Sequence, residues 1–513
     1  MKFKIINASS KDWYNKFNEL VCNEDDESFK CIFEHLIDGI SLDMFLKDIF
    51  EKTPCLFQRT ESSNNNILLD IITKSSFIQF IRSFDNGIVV ENNITVVRYV
   101  DEEREDLDWK IFHNQLKSKK RKNYEHNDED SINLVKSNDI EKIFNEKYTI
   151  QYYQPQRYFD ILYKTNCSFE YHFGTLAGSS TYFTPPNCQG LPPHHDDVDV
   201  FILQTEGEKD WYIWNGKIEL PETYQRIARE DLPKDCKKVT LRKGELLYLP
   251  RGTIHEAIAL NSFSTHVTIS VYQNYNMKAL LSRVVLKTLE KASSVDVNIR
   301  KGLPIKLSDS FGTFAARLSG QQNLSLRNEI LSKSKEIVKN LNNFVTIETI
   351  DEACDEIAVD FIQNRLPLPV IPIHTSSKKS KKISSTSMVR LIEPTSSIHF
   401  AIQEIAGLSV LCIANSLNNN RLTHMGHPLE YGDNDDDNDN DESSLRDLDD
   451  VSSIWQITIP SRLTPILICL MQSSPNLMKI SEIIKLMKIS QIHESEVLET
   501  INKLHNEEII YVD

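Results

Sequence analysis

The sequence predicts an α+β chain built around one β-barrel, with helices before and after it. Between about residues 145 and 275, short apolar strands alternate with Gly, Pro and Asn turns and close at Thr265-His-Val-Thr-Ile-Ser-Val-Tyr272. On either side of that stretch, apolar residues recur at helical spacing. Within it, the run from Gly190 to Lys209 opens with a His-x-Asp pair, His194 and Asp196, at the head of an apolar strand.

Length and charge bound the rest. A chain of 513 residues leaves room for about three domains, and 40% hydrophobic content suffices for real cores. The net charge of −16 argues against a general nucleic-acid-binding surface and for basic partners. Nine cysteines at irregular spacing, without a Cys-x-x-Cys pair, read as reduced thiols of the cytosol or nucleus. The start, Met1 to Ser10, has no apolar core of signal length. No run approaches the ~18 apolar residues a membrane span needs. A soluble intracellular protein is expected.

Taken in order, residues 28–60 carry a helical pattern: Phe33, Leu36 and Ile37, then Ser41 as N-cap before Leu42, Phe45 and Ile49. Ile88 to Glu91 and Ile94 to Tyr99 read as strands. From about Asp101 to Asp139 the composition turns polar, which predicts an insertion loop. Its basic six-mer, Lys117 to Lys122, reads either as a nuclear import signal or as a solvated loop. In the barrel, His266 sits in an apolar alternating strand and reads as a satisfied core histidine, and Cys188 as a packed thiol. After Asn276, Leu281, Val284, Val285 and Leu289 make an apolar helix face, followed by Phe311, Phe314 and Leu318 and then Ile330, Ile337, Leu341 and Phe344. That is more apolar surface than one small bundle needs, which predicts self-association. Residues 373–386 form a second basic, Ser-rich loop, and Asp433 to Ser444 is a low-complexity Asp/Asn tract without the spacing of a calcium loop. Residues 452–513 read helix, helix, helix, strand, a winged-helix pattern; acids slightly outnumber bases there, so a protein-contact or structural module is expected and direct DNA binding is not.

The chemistry lies in the His-x-Asp run. Residues i and i+2 of a strand share a face, so His194 and Asp196 look the same way. The even positions continue as Val198, Val200 and Ile202, suited to a barrel lumen. The odd ones open with three polar residues, His195, Asp197 and Asp199, which suits a solvent-facing strand end. The best third ligand is His255, in Glu245 to His255. Two histidines and one carboxylate on one face of a metal suit a non-haem Fe(II) centre with open positions. Lys209 follows the turn Glu206-Gly-Glu208; a buried lysine without an acidic protein partner calls for a bound anion.

The run Tyr182 to Trp211 resembles the JmjC ribosomal oxygenases, as do Leu246 to His255 and Thr149 to Tyr158. The resemblance extends from about Phe33 to the C-terminus, with insertions. It implies a double-stranded β-helix of the JmjC, cupin-like jelly-roll kind over residues 145–275, braced by N-terminal helices and strands in 1–144. Beyond the barrel it implies a helical dimerisation region over 276–372, a linker with the low-complexity tract over 373–451 and a winged-helix-like module over 452–513, in a homodimer of the nucleus or nucleolus. It also implies Fe(II), 2-oxoglutarate and O2 as cofactors, with His194, Asp196 and His255 as metal ligands and Lys209 holding 2-oxoglutarate. Gln151, Tyr182 and Ser270 match positions that line the target-residue pocket. The family usually has Asn two residues before that tyrosine; Ser180 stands there in this chain. The implied activity is hydroxylation of a histidine in a ribosomal protein, demethylation of a methylated histone lysine, or both. Two rival readings stay open: a cupin-like Zn or Mn enzyme, which would have no need of Lys209, and a non-enzymatic chromatin or ribosome-assembly scaffold.

Overall fold

The structure is a computed structural model that describes residues 2–10, 12–22, 28–59, 72–83, 88–89, 93–109, 112, 134–272, 275–313, 324–369, 383–392, 397–426 and 455–513. The expectations for Lys117 to Lys122, for Phe314 and Leu318, for most of 373–386 and for Asp433 to Ser444 lie outside these residues.

The described strands up to the end of the barrel are β1 Lys4–Asn7, β2 Cys55–Gln58, β3 Ile88–Val89, β4 Ile94–Val100, β5 Glu103–Asp106, β6 Leu134–Val135, β7 Thr149–Tyr153 and β8 Ala177–Thr184. They continue as β9 His194–His195, β10 Asp199–Glu206, β11 Glu208–Trp214, β12 Gln225–Arg226, β13 Lys237–Arg242, β14 Leu246–Leu249, β15 Ile254–Ala259 and β16 Ser264–Val271. A nine-stranded sheet runs β1-β2-β14-β10-β16-β8-β7-β4-β5, and a five-stranded one runs β12-β9-β15-β11-β13. Apart from the parallel pair β1·β2, the barrel's pairings are antiparallel. This is the expected α+β architecture with a cupin-like pair of sheets.

Strand alternation sorts β10 onto two cores. Val200 and Ile202 pack with Trp211, Ile213, Val239, Leu241, Leu247 and Leu249, drawn from both sheets. Phe201 and Leu203 join Phe33, Phe45, Phe169 and Tyr248 in a second core under the helices. The N-terminal helices fold as read: Ser41 caps the helix Leu42–Asp48 by accepting from the Met44 N–H at 3.3 Å, and Phe33, Leu36, Ile37, Phe45 and Ile49 are fully buried. The Phe33 ring meets Phe45, Phe169, Phe173 and Phe201 edge to face. Each such pair adds about 0.5–1.5 kcal/mol to the burial itself.

The stretch from Asp101 to Asp139 differs from a plain insertion loop at both ends. β5 returns along β4, with Arg98 bonded to Glu105, and Ser137–Asn145 is a helix burying Ile140, Ile143 and Phe144. Opposite charges across the hairpin make a polar segment compatible with a strand.

The described residues divide into two compact units. One holds the barrel and residues 361–398 and 402–513; the other is residues 274–360 with 399–401. In the second, the helices Met277–Val295, Leu324–Leu341 and Ile347–Asn364 supply most of the regular structure, the last ending beyond it. Lys287 and Lys291 pair there with Glu356 and Glu352.

In the first unit, helices Thr464–Ser473, Ile480–Met487 and Glu494–Asn506 match the pattern read at the C-terminus. Their sheet takes Ile510–Val512 and Met478–Lys479, with Met388–Leu391 between them. Residues 373–451 therefore hold more than linker: Met388–Leu391 completes this sheet, and Leu408–Asn415 pairs with Ile457–Pro460. The strands that flank Met388–Leu391 lie some 90 and 120 positions on in sequence, which composition alone does not reveal.

Candidate active site

β9 is two residues long and pairs with β15 through one register, His194 opposite His255. Asp196 follows in the turn into β10, where its carbonyl accepts from the Gly252 N–H at 2.8 Å. The three side chains converge. His194 Nε2 lies 3.8 Å and His255 Nε2 3.6 Å from the two oxygens of Asp196, and one ligand atom from each residue falls within 4.8 Å of the others. Each histidine is oriented from behind: Nδ1–H of His194 donates to Pro192 O at 2.8 Å, and that of His255 to Thr253 O at 3.0 Å. That tautomer leaves both Nε2 lone pairs facing the carboxylate, the arrangement a metal requires. Burial, with His194 beside it, pushes His255 down to about 4, so it is neutral at physiological pH, the form in which an imidazole can bind a metal.

The triad opens on a cavity of about 220 Å³. All eight residues singled out from the sequence line it: His194, Asp196, His255, Lys209, Gln151, Ser180, Tyr182 and Ser270. Gly207, at φ 63, makes the reversal between β10 and β11 that delivers Lys209. A Cβ there would meet the Phe263 carbonyl at 2.1 Å, so only glycine fits.

Lys209 is buried, donates to Thr184 Oγ1 at 3.1 Å, and has no carboxylate in ion-pair range among the described residues. Burial pulls its pKa down to about 7. Three other polar atoms on the cavity wall, Thr149 Oγ1, Trp211 Nε1 and His266 Nδ1, have no hydrogen-bond partner among the described residues. A lysine without a counter-ion and an indole N–H without an acceptor suit an anionic, oxygen-rich ligand. The donor set thus fits both a divalent metal and a small dicarboxylate.

Two expectations are corrected. His195 and Asp199 are not at a solvent-facing end: both are buried, Asp199 because helices cover the outer face of the larger sheet and His195 within the smaller one, between β12 and β15. Asp199 accepts a hydrogen bond from the Tyr248 hydroxyl, and burial still raises its carboxyl to about 7. His266 is buried, but it is a cavity-wall residue whose Nδ1 lacks a partner, stacked on Tyr182 with ring centroids 4.8 Å apart. Sequence reasoning also passed over Trp211, Thr184 and Glu256. Trp211 shares the parity of Lys209 and was open to detection; the other two act through contacts remote in sequence.

The JmjC domain family matches residues 151–279. Ribosomal oxygenase 2 of Bos taurus is 33% identical over 295 residues, 56% of this chain and 58% of the relative. Ribosomal oxygenase 2 of Rattus norvegicus is 30% identical over 419 residues, 78% of this chain and 80% of the relative. A bifunctional lysine-specific demethylase and histidyl-hydroxylase of Aedes aegypti is 27% identical over 385 residues, 74% of this chain and 54% of the relative. The chain thus spans between about half and four fifths of the length of these curated relatives. With that match to the rat protein, the chain belongs to the ribosomal oxygenase family.

Proposed function

We propose that this chain is an Fe(II)- and 2-oxoglutarate-dependent protein oxygenase acting on a basic protein. The observation that carries the reading is the convergence of His194, Asp196 and His255 on a cavity whose buried lysine has no acidic partner among the described residues. Iron(II), 2-oxoglutarate and O2, when bound, supply the oxidising power that hydroxylates a substrate C–H bond.

The chain's own residues do the positioning. His194, Asp196 and His255 would hold the metal from one side and leave other positions open. Lys209 and Thr184, 3.1 Å apart, would hold the far carboxylate of 2-oxoglutarate. Gln151, Ser180, Tyr182 and Ser270 lie on β7, β8 and β16, which are neighbours in one sheet, and would hold the target side chain. A histidine presented there would gain a hydroxyl; a lysine N-methyl would be lost as formaldehyde after hydroxylation. The cupin-like Zn or Mn reading leaves Lys209 without a purpose.

The negative charge of the chain suits a ribosomal protein or histone tail as substrate. Residues 276–372 are the proposed homodimer region; Leu281, Val285 and Leu289 are exposed along one helix there. Residues 452–513 are the proposed winged-helix-like module, a reading supported by three helices followed by the strand Ile510–Val512, and the proposed location is the nucleus.

Mass spectrometry of ribosomal-protein and histone extracts tests this, after incubation with the purified protein, Fe(II), 2-oxoglutarate and O2. An added oxygen on a ribosomal-protein histidine, absent with His255→Ala, is the expected result. Methyl loss from histone lysines would assign demethylation instead. Neither change, with no succinate formed, would overturn the reading.

A further inference from the structure

We propose that Glu256 is a positioning residue whose carboxylate ties together the segments that carry His194 and His255. The proposal rests on the metal reading of that pair.

The backbone alone holds His194 weakly. β9 has two residues, one registered pair with β15 and two with β12. A ligand carried on so short a ladder needs a further constraint if its Nε2 is to stay in place.

Glu256 supplies one. It follows His255 on β15, is 5% exposed and also lines the cavity. Its Oε1 accepts from Arg229 Nη1 at 2.9 Å and its Oε2 from Arg229 Nη2 at 2.7 Å, a two-point fork. Oε2 accepts in addition from Gln189 Nε2 at 2.8 Å.

Each donor belongs to a segment attached to β9. Gln189 lies on the approach to His194; its Nε2 donates also to Leu191 O at 2.8 Å, and its carbonyl accepts from the Tyr99 N–H at 2.9 Å. Arg229 follows β12, where Arg226 is in register with His194, and its guanidinium lies 5.8 Å from the centroid of the Tyr99 ring. One buried carboxylate therefore spans the strand of the third ligand, the approach to the first, and the strand on the first ligand's other side. Arginine is needed for this because lysine offers a point charge and no planar fork.

The experiment titrates Co(II), as a spectroscopic probe, into the metal-free full chain and follows its visible absorption bands, with thermal unfolding recorded in parallel. Glu256→Ala and Arg229→Ala should each weaken Co(II) binding by roughly 10-fold or more and alter the band shape, as loss of a partner behind the ligands does elsewhere. The double variant should be no weaker than either single one, because both remove the same link. Glu102→Ala, which takes away only the exposed carboxylate 3.6 Å from Arg229, should bind Co(II) like the parent chain. Unchanged Co(II) affinity and bands in the two single variants, even with a lower melting temperature, would reduce the network to a structural role and overturn the proposal. Should Glu256→Ala fail to fold, Arg229→Ala decides alone, since that side chain is partly exposed at the start of a short 3-10 helix. A parent chain that takes up no Co(II) overturns the metal reading itself, a result distinguishable from failure of the clamp.

Discussion

Replacing Lys209 by methionine should have two opposite effects. Lys209 is buried on the cavity wall with one hydroxyl partner, and its pKa falls from 10.5 to about 7. A depression of that size corresponds to about 5 kcal/mol, as an upper bound. The sign follows from proton counting. Below about pH 7 the lysine is charged in the folded and unfolded chain alike, so the cost of burying the charge is borne in full. Between about 7 and 10.5 the unfolded chain binds the extra proton, so stability rises with pH across that window. Without cosubstrate, Lys209→Met should therefore be more stable than the parent at pH 6.5, by up to a few kcal/mol, and the advantage should shrink towards pH 10.

The second effect concerns 2-oxoglutarate. A charge-assisted hydrogen bond to a carboxylate contributes about 1.5–3 kcal/mol, so the variant should bind 2-oxoglutarate roughly 10- to 150-fold more weakly. In the parent chain, binding should take up a proton and weaken about tenfold per pH unit above 7. Denaturant unfolding of the Co(II) form at pH 6.5 and 9.5, with and without 2-oxoglutarate, reads both effects. A Lys209→Met chain that is less stable at pH 6.5 and is still stabilised by 2-oxoglutarate as strongly as the parent would refute the reasoning.

Three further outcomes follow from the same structure. Asp196→Ala should abolish Co(II) absorption and activity while the chain stays folded, since Asp196 lies in a turn and is partly exposed; retained metal binding would exclude it as a ligand. Tyr182→Phe should leave Co(II) and 2-oxoglutarate binding intact and lower turnover of the protein substrate about tenfold through the loss of one polar contact, measured by product mass against succinate formed. Glu170→Ala should destabilise the chain by about 3–5 kcal/mol, because it strands the buried Arg365 guanidinium and removes the acceptor of two buried N–H groups: Glu170 accepts from His424 Nε2 at 2.8 Å and from Leu366 N at 3.0 Å, beside Arg365. Denaturant titration of the metal-free chain checks this, and a loss below about 1 kcal/mol would deny the carboxylate its structural weight.

The site was legible because strand parity carries it. Cavity residues on each wall strand stand two apart: Thr149 and Gln151, Ser180 and Tyr182, Val200 and Ile202, Lys209 and Trp211, His255 and Ala257, and the series His266, Thr268, Ser270. A residue known on one such strand fixes its neighbours, so naming Ser270 already implied His266; reading that histidine as core came from judging it by the apolar character of its strand and not by its parity. The same rule misled at His195 and Asp199. Alternation says that they face away from the lumen, but not what lies on that side, and over Asp199 helices some 30 to 160 residues away in sequence cover it. Glu256 breaks the rule altogether. It borders the cavity next to a residue of the opposite parity, and its partners Gln189 and Arg229 are set 67 and 27 positions away. Periodicity describes where a strand points its side chains, whereas fixing a two-residue strand such as β9 depends on contacts between segments, and those are settled only when the chain has closed on itself. Two levels of specificity follow from that division: spacing points to candidate ligands such as His194 and Asp196, while the proposed constraint on their placement lies in remote pairs such as Arg229 and Glu256 that carry no local signature.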